Sequence, residues 1–300
     1  MDEKNNTSTE SWKNELQKHI IRYMTGEETG EATSYMGYAY MCLAPSSIYK
    51  YFPDSMSKLM DVQNNVMWYS VPNKFNDVFD TDFIIDKEAV FVNFLKQASN
   101  GTEIRTGSKV WKDLRGTTTR AITNMEKAMK QIRQSMGVSC FSESADSLIM
   151  WAHYANYHKG MCVEYELMGF NSNLKFTPVP VIYQQKRPCL QMIHFENSDK
   201  DATQFYINGL TTKSDVWSDE KEWRIIRDKG ACGEAWDETK QGALLQSITP
   251  SSIILGCEAS GEFEAAVKDY CESSSINLFK MRKDNLEYQL IKEPILQFDT

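Results

Sequence analysis

Several features that identify common classes of protein are missing from this sequence. Its seven cysteines form no CxxC pair, it has only four histidines, and it contains no GxGxxG or P-loop motif. No apolar run reaches the roughly 18 residues that a membrane-spanning helix needs. These absences argue against a zinc knuckle, against a Rossmann or Walker nucleotide site and against a membrane protein.

The cysteines and histidines are scattered rather than grouped. The cysteines run from Cys42 to Cys271, and we expect reduced thiols, several of them buried as small apolar residues. His153 and His158 are five residues apart, which places them on different faces of a continuing helix, so we expect no metal site. The polar and acidic N-terminus does not resemble a secretory signal, and we expect a cytoplasmic location.

The composition predicts a globular protein with an uneven charge. The chain has 300 residues, 41% hydrophobic residues and a net charge of −8. Residues 86–136 contain ten Lys and Arg against five acidic residues, so this segment is +5 and the remainder is −13. Two interpretations stay open: a solvated helical insertion, or a basic arm that contacts nucleic acid or an acidic partner.

The hydrophobic patterns predict a mixed α+β fold with mostly antiparallel sheets and flanking helices. Residues 11–24 carry a one-sided apolar stripe and predict a docking helix within an N-terminal helical extension, 1–45. Residues 46–300 are predicted to form a single α+β domain with a helical basic insertion at 86–136, because strands and helices intersperse without strict βαβ alternation. The strands are expected near 48–52, 66–70, 137–141, 161–167, 179–183, 222–227, 252–255, 276–281 and 286–291.

Residues 140–167, CFSESADSLIMWAHYANYHKGMCVEYEL, combine polar and aromatic groups between two predicted strands. A helix over about 145–157 is apolar nearly all round, which predicts a buried helix with Trp151 and Tyr154 in the core and His153 as a buried, hydrogen-bonded histidine. Ser144 is predicted to cap this helix. Ser142 and Glu143 are left without a structural role.

A second group of polar residues is KSDVWSDEKEWRIIR, residues 213–227. If Glu220 and Glu222 both lie on a strand, their carboxylates point to one face and repel each other unless a cation or a substrate hydroxyl lies between them. The alternative is that Glu220 lies in a turn and both are surface acids paired with Lys221 and Arg224.

A third group flanks the first predicted strands. Lys50 in IYKYF is expected either to extend to solvent or to hold a phosphate. Asn76, Asp77 and Asp80 are expected to cap and shape a loop.

These blocks occur in an order that resembles a known family. IYKY, WYSxPxxFNDxFD, SCFSExxDxxxMWAHYAxxHKGxCxE, KSxxWxxExEWRII and IILG together resemble the domain of unknown function 2971 over roughly residues 47–260. This family name implies no activity.

The same blocks resemble, more distantly, the arginine-serine-glutamate class of the ADP-ribosyltransferase superfamily. The resemblance implies an ADP-ribosyltransferase-like core in which Lys50 is the basic residue of a first strand, Ser142-Glu143-Ser144 the serine strand end and Glu220-Lys221-Glu222 the acidic pair. The sequence departs from that pattern, because Lys replaces Arg, Glu143 replaces a threonine, and the acidic block precedes a WRII strand.

The resemblance implies an enzyme that cleaves NAD or transfers its ADP-ribosyl group, acting as a bacterial defence factor, in phage defence, or as a toxin. Cleavage of the bond between nicotinamide and ribose passes through an oxocarbenium-like state, which Glu222 would stabilise while Glu220 activates an acceptor. Lys50 would bind the pyrophosphate, Ser142 the ribose, and Tyr154 or Trp68 an aromatic ring. The remaining residues expected to contact the cofactor are Tyr49, Glu143, Trp151 and Arg224. The substrate would be NAD, without a metal, and the acceptor an unknown protein or nucleic acid.

Two other functions remain open at this point. One is a non-enzymatic module that binds a nucleotide or nucleic acid through residues 86–136. The other is a metal-dependent nuclease or hydrolase built on Asp77, Asp80, Glu220 and Glu222.

Overall fold

The computed structural model describes residues 11–27, 30–174, 177–192 and 198–298. It has the predicted mixed α+β architecture with mostly antiparallel strand pairing. The α-helices are α1 Ser11–Met24, α2 Gly30–Tyr38, α3 Met56–Gln63, α4 Lys87–Ser99, α5 Lys109–Ser135, α6 Leu148–Tyr154, α7 Leu167–Leu174, α8 Ser198–Leu210, α9 Lys229–Cys232 and α10 Gly261–Ser274. Within the described residues, no helix combines the length and apolarity required to cross a bilayer.

Most of the predicted strands form, but the one predicted at 286–291 begins only at Leu290, the one predicted at 179–183 is divided into two, and several short strands were not predicted. They are β1 Ser47–Phe52, β2 Val66–Ser70, β3 Ile84–Ile85, β4 Met136–Ser142, β5 Met161–Glu166, β6 Val179–Pro180, β7 Ile182–Gln184, β8 Cys189–Leu190, β9 Thr212–Ser214, β10 Glu222–Asp228, β11 Trp236–Asp237, β12 Gly242–Gln246, β13 Ser252–Leu255, β14 Asn277–Lys283 and β15 Leu290–Leu296.

The chain divides into two compact units. Unit 1 comprises the described residues up to Gly37 together with Val71–Met136 and Ile182–Asp215, and unit 2 comprises Tyr38–Ser70, Gly137–Val181 and the described residues from Val216 onward. Each unit therefore collects segments that are distant in sequence.

Unit 1 is mainly helical. The predicted docking helix α1 buries Leu16, Ile20 and Ile21 and packs against α8. The Gln17 amide of α1 donates to the hydroxyl of Thr211, the residue after α8, over 2.6 Å. Helices α4 and α5 pack together, and their core includes Val90, Ile122 and Met129. Two small parallel strand pairs, β3 with β8 and β7 with β9, complete this unit. The basic segment 86–136 is thus helical, as predicted.

Unit 2 is built around one large sheet. Its strands follow the order β11, β12, β2, β4, β1, β5, β13, β14 and β15, and β10 pairs with β4 and with β6. All these pairs with a given register are antiparallel except β13 with β14, which are parallel and joined by α10. The interior of the sheet is largely apolar along β5 and β13, where Val163 and Ile253 are completely buried. This rigid apolar centre holds the neighbouring strands β1 and β4 in place.

Helix α6 is shorter and less buried than the sequence predicted. It covers Leu148–Tyr154, and Leu148 and Ile149 are 40% and 43% exposed. Only Met150 and Trp151 are buried within it, so the expectation of a helix buried on all sides is wrong. His153 is exposed rather than buried, and the N-cap is Ser147, which accepts from the Met150 amide, rather than Ser144. The prediction failed because α6 has only seven residues, about two turns, and a helix this short buries one side only.

Candidate functional site

Three neighbouring strands of unit 2 carry Lys50, Ser142 and Glu222. Strand β4, which ends at Ser142, pairs with β1 on one side, where Tyr49 lies opposite Ser142, and with β10 on the other. Lys50 follows Tyr49 in β1, and Glu222 is the first residue of β10. Residues separated by up to 172 positions in sequence therefore lie within one small region of the sheet.

Glu222 and Arg224 form a buried bidentate ion pair. The Arg224 Nε donates to Glu222 Oε1 over 2.8 Å and its Nη2 donates to Oε2 over 3.0 Å. The two residues are 4% and 0% exposed. In a strand, residues two apart lie on the same face, and the planar guanidinium fits both carboxylate oxygens. The pair fixes the orientation of Glu222 and balances its charge.

Lys50 adds a second cation to this region. Its Nζ donates to the Ser139 hydroxyl and to the Cys140 carbonyl, both over 2.9 Å, and lies 5.0 Å from the centre of the Phe141 ring. Burial lowers the pKa of Lys50 to about 8, although the nearby carboxylate of Glu222 acts in the opposite direction. Lys50 is thus an amine that gains or loses its charge close to neutral pH.

Cys140 lies beside the same carboxylate. Burial raises the pKa of its thiol well above the ordinary value, and the negative charge of Glu222 raises it further. The thiol therefore stays protonated at neutral pH and is not a nucleophile there. Ser139 and Cys140 were missed by the sequence analysis. The run GVSCFS does not indicate them, because its two serines are three residues apart and show no strand alternation.

Ser142 ties the end of β4 to the turn before β10. Its hydroxyl donates to the Glu220 carbonyl over 2.6 Å and accepts from the Ser144 amide over 3.1 Å. The Glu143 amide donates to the Lys221 carbonyl over 3.0 Å. Since Ser142 is completely buried, these bonds determine where the acidic segment 220–222 lies relative to β4.

Glu220 is not part of the strand that carries Glu222. It ends a 3₁₀ turn, Asp215–Glu220, and Lys221 has a left-handed backbone with φ of 45°. The expectation that both carboxylates share one strand face is therefore wrong, because only Glu222 belongs to a strand. The alternative is confirmed in part: Glu220 lies in a turn and Glu222 pairs with Arg224, but neither is a surface acid, since each is only 4% exposed. Glu220 Oε1 accepts from the Tyr154 hydroxyl over 2.7 Å.

Glu143 and Trp223 also meet across β4 and β10. The Trp223 indole N–H donates to Glu143 Oε1 over 2.7 Å, and Trp223 is completely buried. Glu143 therefore helps to position the start of β10, a role that its sequence neighbours do not reveal.

Other predicted cofactor contacts lie on the opposite face of β1 or elsewhere in the sheet. Tyr49 and Tyr51 alternate with Lys50 along the strand and so point to the other face. The Tyr49 hydroxyl donates to Glu164 Oε1 over 3.2 Å, and Tyr51 packs edge-on against the completely buried Trp151, with ring centres 5.2 Å apart. Trp68 lies on β2, where its ring covers Gly242 of β12. The register that sets Tyr49 opposite Ser142 places the Ser142 side chain on the Tyr49 face too, and Tyr154 packs with Tyr49, Tyr51 and Trp151. Lys50 lies on the other face of β1, where it interacts electrostatically with Glu222, the partner of Arg224.

The chemistry available in this region follows from its charges. Among the residues that the structure describes, no three His, Cys, Asp or Glu side chains are grouped as a metal ion requires. The region instead offers an oriented carboxylate, a titratable amine and a guanidinium within a low-dielectric sheet, where charges act strongly on one another. Such a set can stabilise a developing positive charge at the carboxylate and bind an anion at the amine.

Comparison with known proteins gives one match. Residues 150–225, about a quarter of the chain, match the model of the family described as protein of unknown function (DUF2971). No curated protein and no solved structure matches the chain. The matched segment contains Tyr154, Glu220, Glu222 and Arg224, whereas Lys50 and Ser142 precede it. Over this segment, the chain is similar to that family of unknown function.

Proposed function

We propose that unit 2 has an ADP-ribosyltransferase-like core and cleaves NAD or transfers its ADP-ribosyl group, in the bacterial defence or toxin setting that the resemblance implies. The observation that carries the proposal is the position of Lys50, Ser142 and Glu222 on the three adjacent strands β1, β4 and β10. The electrostatic effect of Glu222 on Lys50 supports it further, because it places the amine and the carboxylate close together.

Glu222 would stabilise the ribosyl oxocarbenium ion. A buried carboxylate that Arg224 holds in a fixed orientation loses little energy to reorganisation when positive charge develops beside it. The bond between the nicotinamide nitrogen and the ribose breaks with its electron pair leaving on nicotinamide, and water or an acceptor then attacks the ribose carbon. Glu220, hydrogen-bonded to Tyr154, would accept the proton from that nucleophile.

Lys50 and Ser142 would support this step in different ways. Lys50 is half-buried, whereas Glu222 and Arg224 are buried, so the substrate would approach Glu222 from the side of Lys50. In its charged form, the amine would pair with the pyrophosphate. Ser142 would act as a positioning residue through its bond to the Glu220 carbonyl rather than by contact with the ribose.

The test is release of nicotinamide from NAD by the purified chain, with and without protein and nucleic-acid acceptors. Wild type should release nicotinamide, and Glu222→Gln should reduce the rate by at least about a hundredfold, the usual cost of removing one stabilising group. Glu238→Gln removes an exposed carboxylate of the same unit, which pairs with Lys229, and should leave the rate unchanged.

The retained fold of Glu222→Gln is checked by thermal unfolding, since this variant leaves Arg224 with a neutral partner. Glu220→Gln serves as a second variant and should slow transfer to an acceptor more than hydrolysis. Absence of nicotinamide with every acceptor, or full activity in a folded Glu222→Gln variant, would contradict the proposal.

A second candidate function, nucleic-acid binding, is favoured by one face of α5. Five exposed cations lie within an arc of about 80° at 100° per residue and extend over about 31 Å of helix. We call them the basic stripe: Lys109, Lys112, Arg120, Lys127 and Lys130. The buried residues Thr118, Ile122 and Met129 occupy the opposite side. None of the five cations has an ion-pair partner within the described part of the chain.

The stripe predicts salt-dependent binding. In fluorescence anisotropy with a labelled single-stranded oligonucleotide, the logarithm of the affinity should fall with the logarithm of salt with a slope of up to about −3.5 for five contacts. Lys127→Glu with Lys130→Glu should weaken binding and reduce the slope. The same charge change at Lys240 and Lys268 of unit 2 is the control, and equal losses in both double variants would contradict a role for the stripe.

A further inference from the structure

Unit 1 contains a concavity at the carboxyl ends of two parallel strands. Ile182 of β7 lies opposite Thr212 of β9, and Gln184 lies opposite Ser214, so both strands end at the same edge. The concavity has a volume of about 280 Å³. Crevices beyond the carboxyl ends of parallel strands are the usual place for ligands in open sheets, and this volume is near the lower end for small-molecule sites.

The lining combines apolar surface with several hydrogen-bond donors. It is formed by the segment 184–188 that follows β7, by the β9 residues 212–214, and by Phe79 and Asp82 from the loop before β3. The side chains of Gln184, Gln185 and Ser214 add amide and hydroxyl groups to this edge. Such a lining suits a ligand that has both a polar group and an apolar part.

The charged groups of the lining leave a positive excess. Lys186, Arg187 and Lys213 outnumber the acidic groups beside them, which are Asp82 of the lining and Asp80 next to Lys213, so these five groups carry a net charge of +1. This excess occurs in a chain whose net charge is −8. A local positive field of this kind attracts anions in spite of the overall charge.

Two of these cations are held in fixed positions. The Lys213 side chain is only 4% exposed and lies 3.5 Å from Asp80, which is itself buried. The Arg187 guanidinium is 2.6 Å from Asp82 and stacks 5.5 Å from the centre of the Phe79 ring. A cation that is already ordered loses less conformational entropy when it binds an anion. Phe79 also supplies an apolar wall for the organic part of a ligand.

We propose that this concavity, formed by 184–188, 212–214, Phe79 and Asp82, binds a phosphomonoester. The positive excess of the lining attracts a negatively charged phosphate, and Arg187 and Lys186 can donate hydrogen bonds to its oxygens. The proposal concerns unit 1 alone and does not rest on the NAD proposal, which concerns residues of unit 2.

Calorimetric titration of the full chain at low salt tests the site with phenyl phosphate, inorganic phosphate and phenol. Both phosphates should bind and phenol should not. Arg187→Gln and Lys186→Ala should each weaken phenyl phosphate binding about tenfold, as expected for loss of one charge-assisted hydrogen bond. Lys96→Ala removes an exposed cation of α4 that belongs neither to the lining nor to the basic stripe, and it should leave this affinity unchanged.

The source of the phosphate is distinguished by a second pair of probes, one oligonucleotide with and without a 5′-phosphate. Tighter binding of the phosphorylated form, lost in Arg187→Gln, assigns the site to a nucleic-acid end. Binding of phenyl phosphate with equal affinity for both oligonucleotides assigns it to a small phosphorylated molecule. Binding of phenyl phosphate no tighter than phenol, or unchanged binding in both Arg187→Gln and Lys186→Ala, would overturn the proposal.

Discussion

The candidate site of unit 2 and helix α5 of unit 1 differ in where their charged side chains lie, mostly buried in the site and mostly exposed on the helix. Unit 2 places Glu222, Arg224 and Glu220 inside its sheet with at most 4% exposure. Unit 1 buries Asp80 against Lys213 but carries many more of its charges on the exposed face of α5. A buried charge is expensive unless it is paired, whereas an exposed one costs little and remains free to meet a partner. The difference separates groups that are fixed for chemistry or structure from groups that are available for association.

The largest effect should follow from breaking the buried pair of unit 2. Glu222→Ala leaves the completely buried Arg224 without its bidentate partner and should lower the free energy of unfolding by about 3–5 kcal/mol. Glu88→Ala breaks an ion pair with Arg115 in unit 1, in which the two side chains are 66% and 43% exposed, and should cost less than about 1 kcal/mol. Urea unfolding of both variants measures the contrast, and equal losses would remove it.

A smaller loss of unfolding free energy is expected when the buried hydroxyl of Ser142, which joins β4 to the turn that ends at Glu220, is removed. Ser142→Ala leaves the Glu220 carbonyl without its 2.6 Å donor and should cost about 1–3 kcal/mol. Ser34→Ala removes an exposed hydroxyl that donates to the Gly30 carbonyl of α2 over 2.9 Å, and the change should be close to zero. Thermal unfolding compares the two, and a Ser142→Ala variant as stable as wild type would show that water replaces the hydroxyl.

The cost of burying a charge in unit 2 can be measured at a single residue, Lys50, through the pH dependence of stability. Its folded pKa of about 8 is below the ordinary value of 10.5, so between these values the unfolded chain binds more protons and stability rises with pH. Below about pH 8, the folded chain bears the full cost of burying the charge.

The stability of wild type relative to Lys50→Met should therefore increase by about 1 kcal/mol between pH 7 and pH 9.5, a value reduced for the partial exposure of Lys50. Urea unfolding of both proteins at the two pH values measures it. Because all other titrating groups are common to both proteins, a difference that is independent of pH would show that Lys50 is well solvated.

The smallest effect on stability is expected for the basic stripe. Lys127→Glu with Lys130→Glu changes two exposed side chains and should alter the free energy of unfolding by no more than about 0.5 kcal/mol. Their substitution should change binding alone. A large loss of stability would place these lysines among the structural charges and remove the contrast with unit 2.

Much of the fold was accessible from the sequence because strong local patterns coincide with the elements. The apolar stripe of 11–24, the β-branched and aromatic run IYKYF and the SIIL strand all form where they were predicted. The run VPVIY was predicted as one strand, but it divides into β6, which pairs with β10, and β7, which pairs with β9. Strand β12, GALLQ, was not predicted, because a strand this short depends on its partner β2 more than on its own composition.

The candidate site was only partly accessible in the same way. Ser142 and Glu143 were singled out because helix capping does not explain them, and both prove to bond to the segment 220–223. Cys140 and Ser139 were missed, because nothing in their own neighbourhood indicates that Lys50 and Glu222 lie beside them. The positions of Glu220 and Glu222 were misjudged, because the left-handed Lys221 between them is set by the turn and not by strand periodicity.

The sequence by itself determined the fold class, the helical nature of the basic segment and the residues from which a site is built. These depend on periodicity and composition, which are local properties. Only the tertiary structure decided that β1, β4 and β10 are adjacent, that Glu222 is buried against Arg224, and that the ends of β7 and β9 enclose a cationic concavity. Each of these joins segments far apart in the chain, and burial and pairing of charge are set by such long-range contacts, which no local pattern contains.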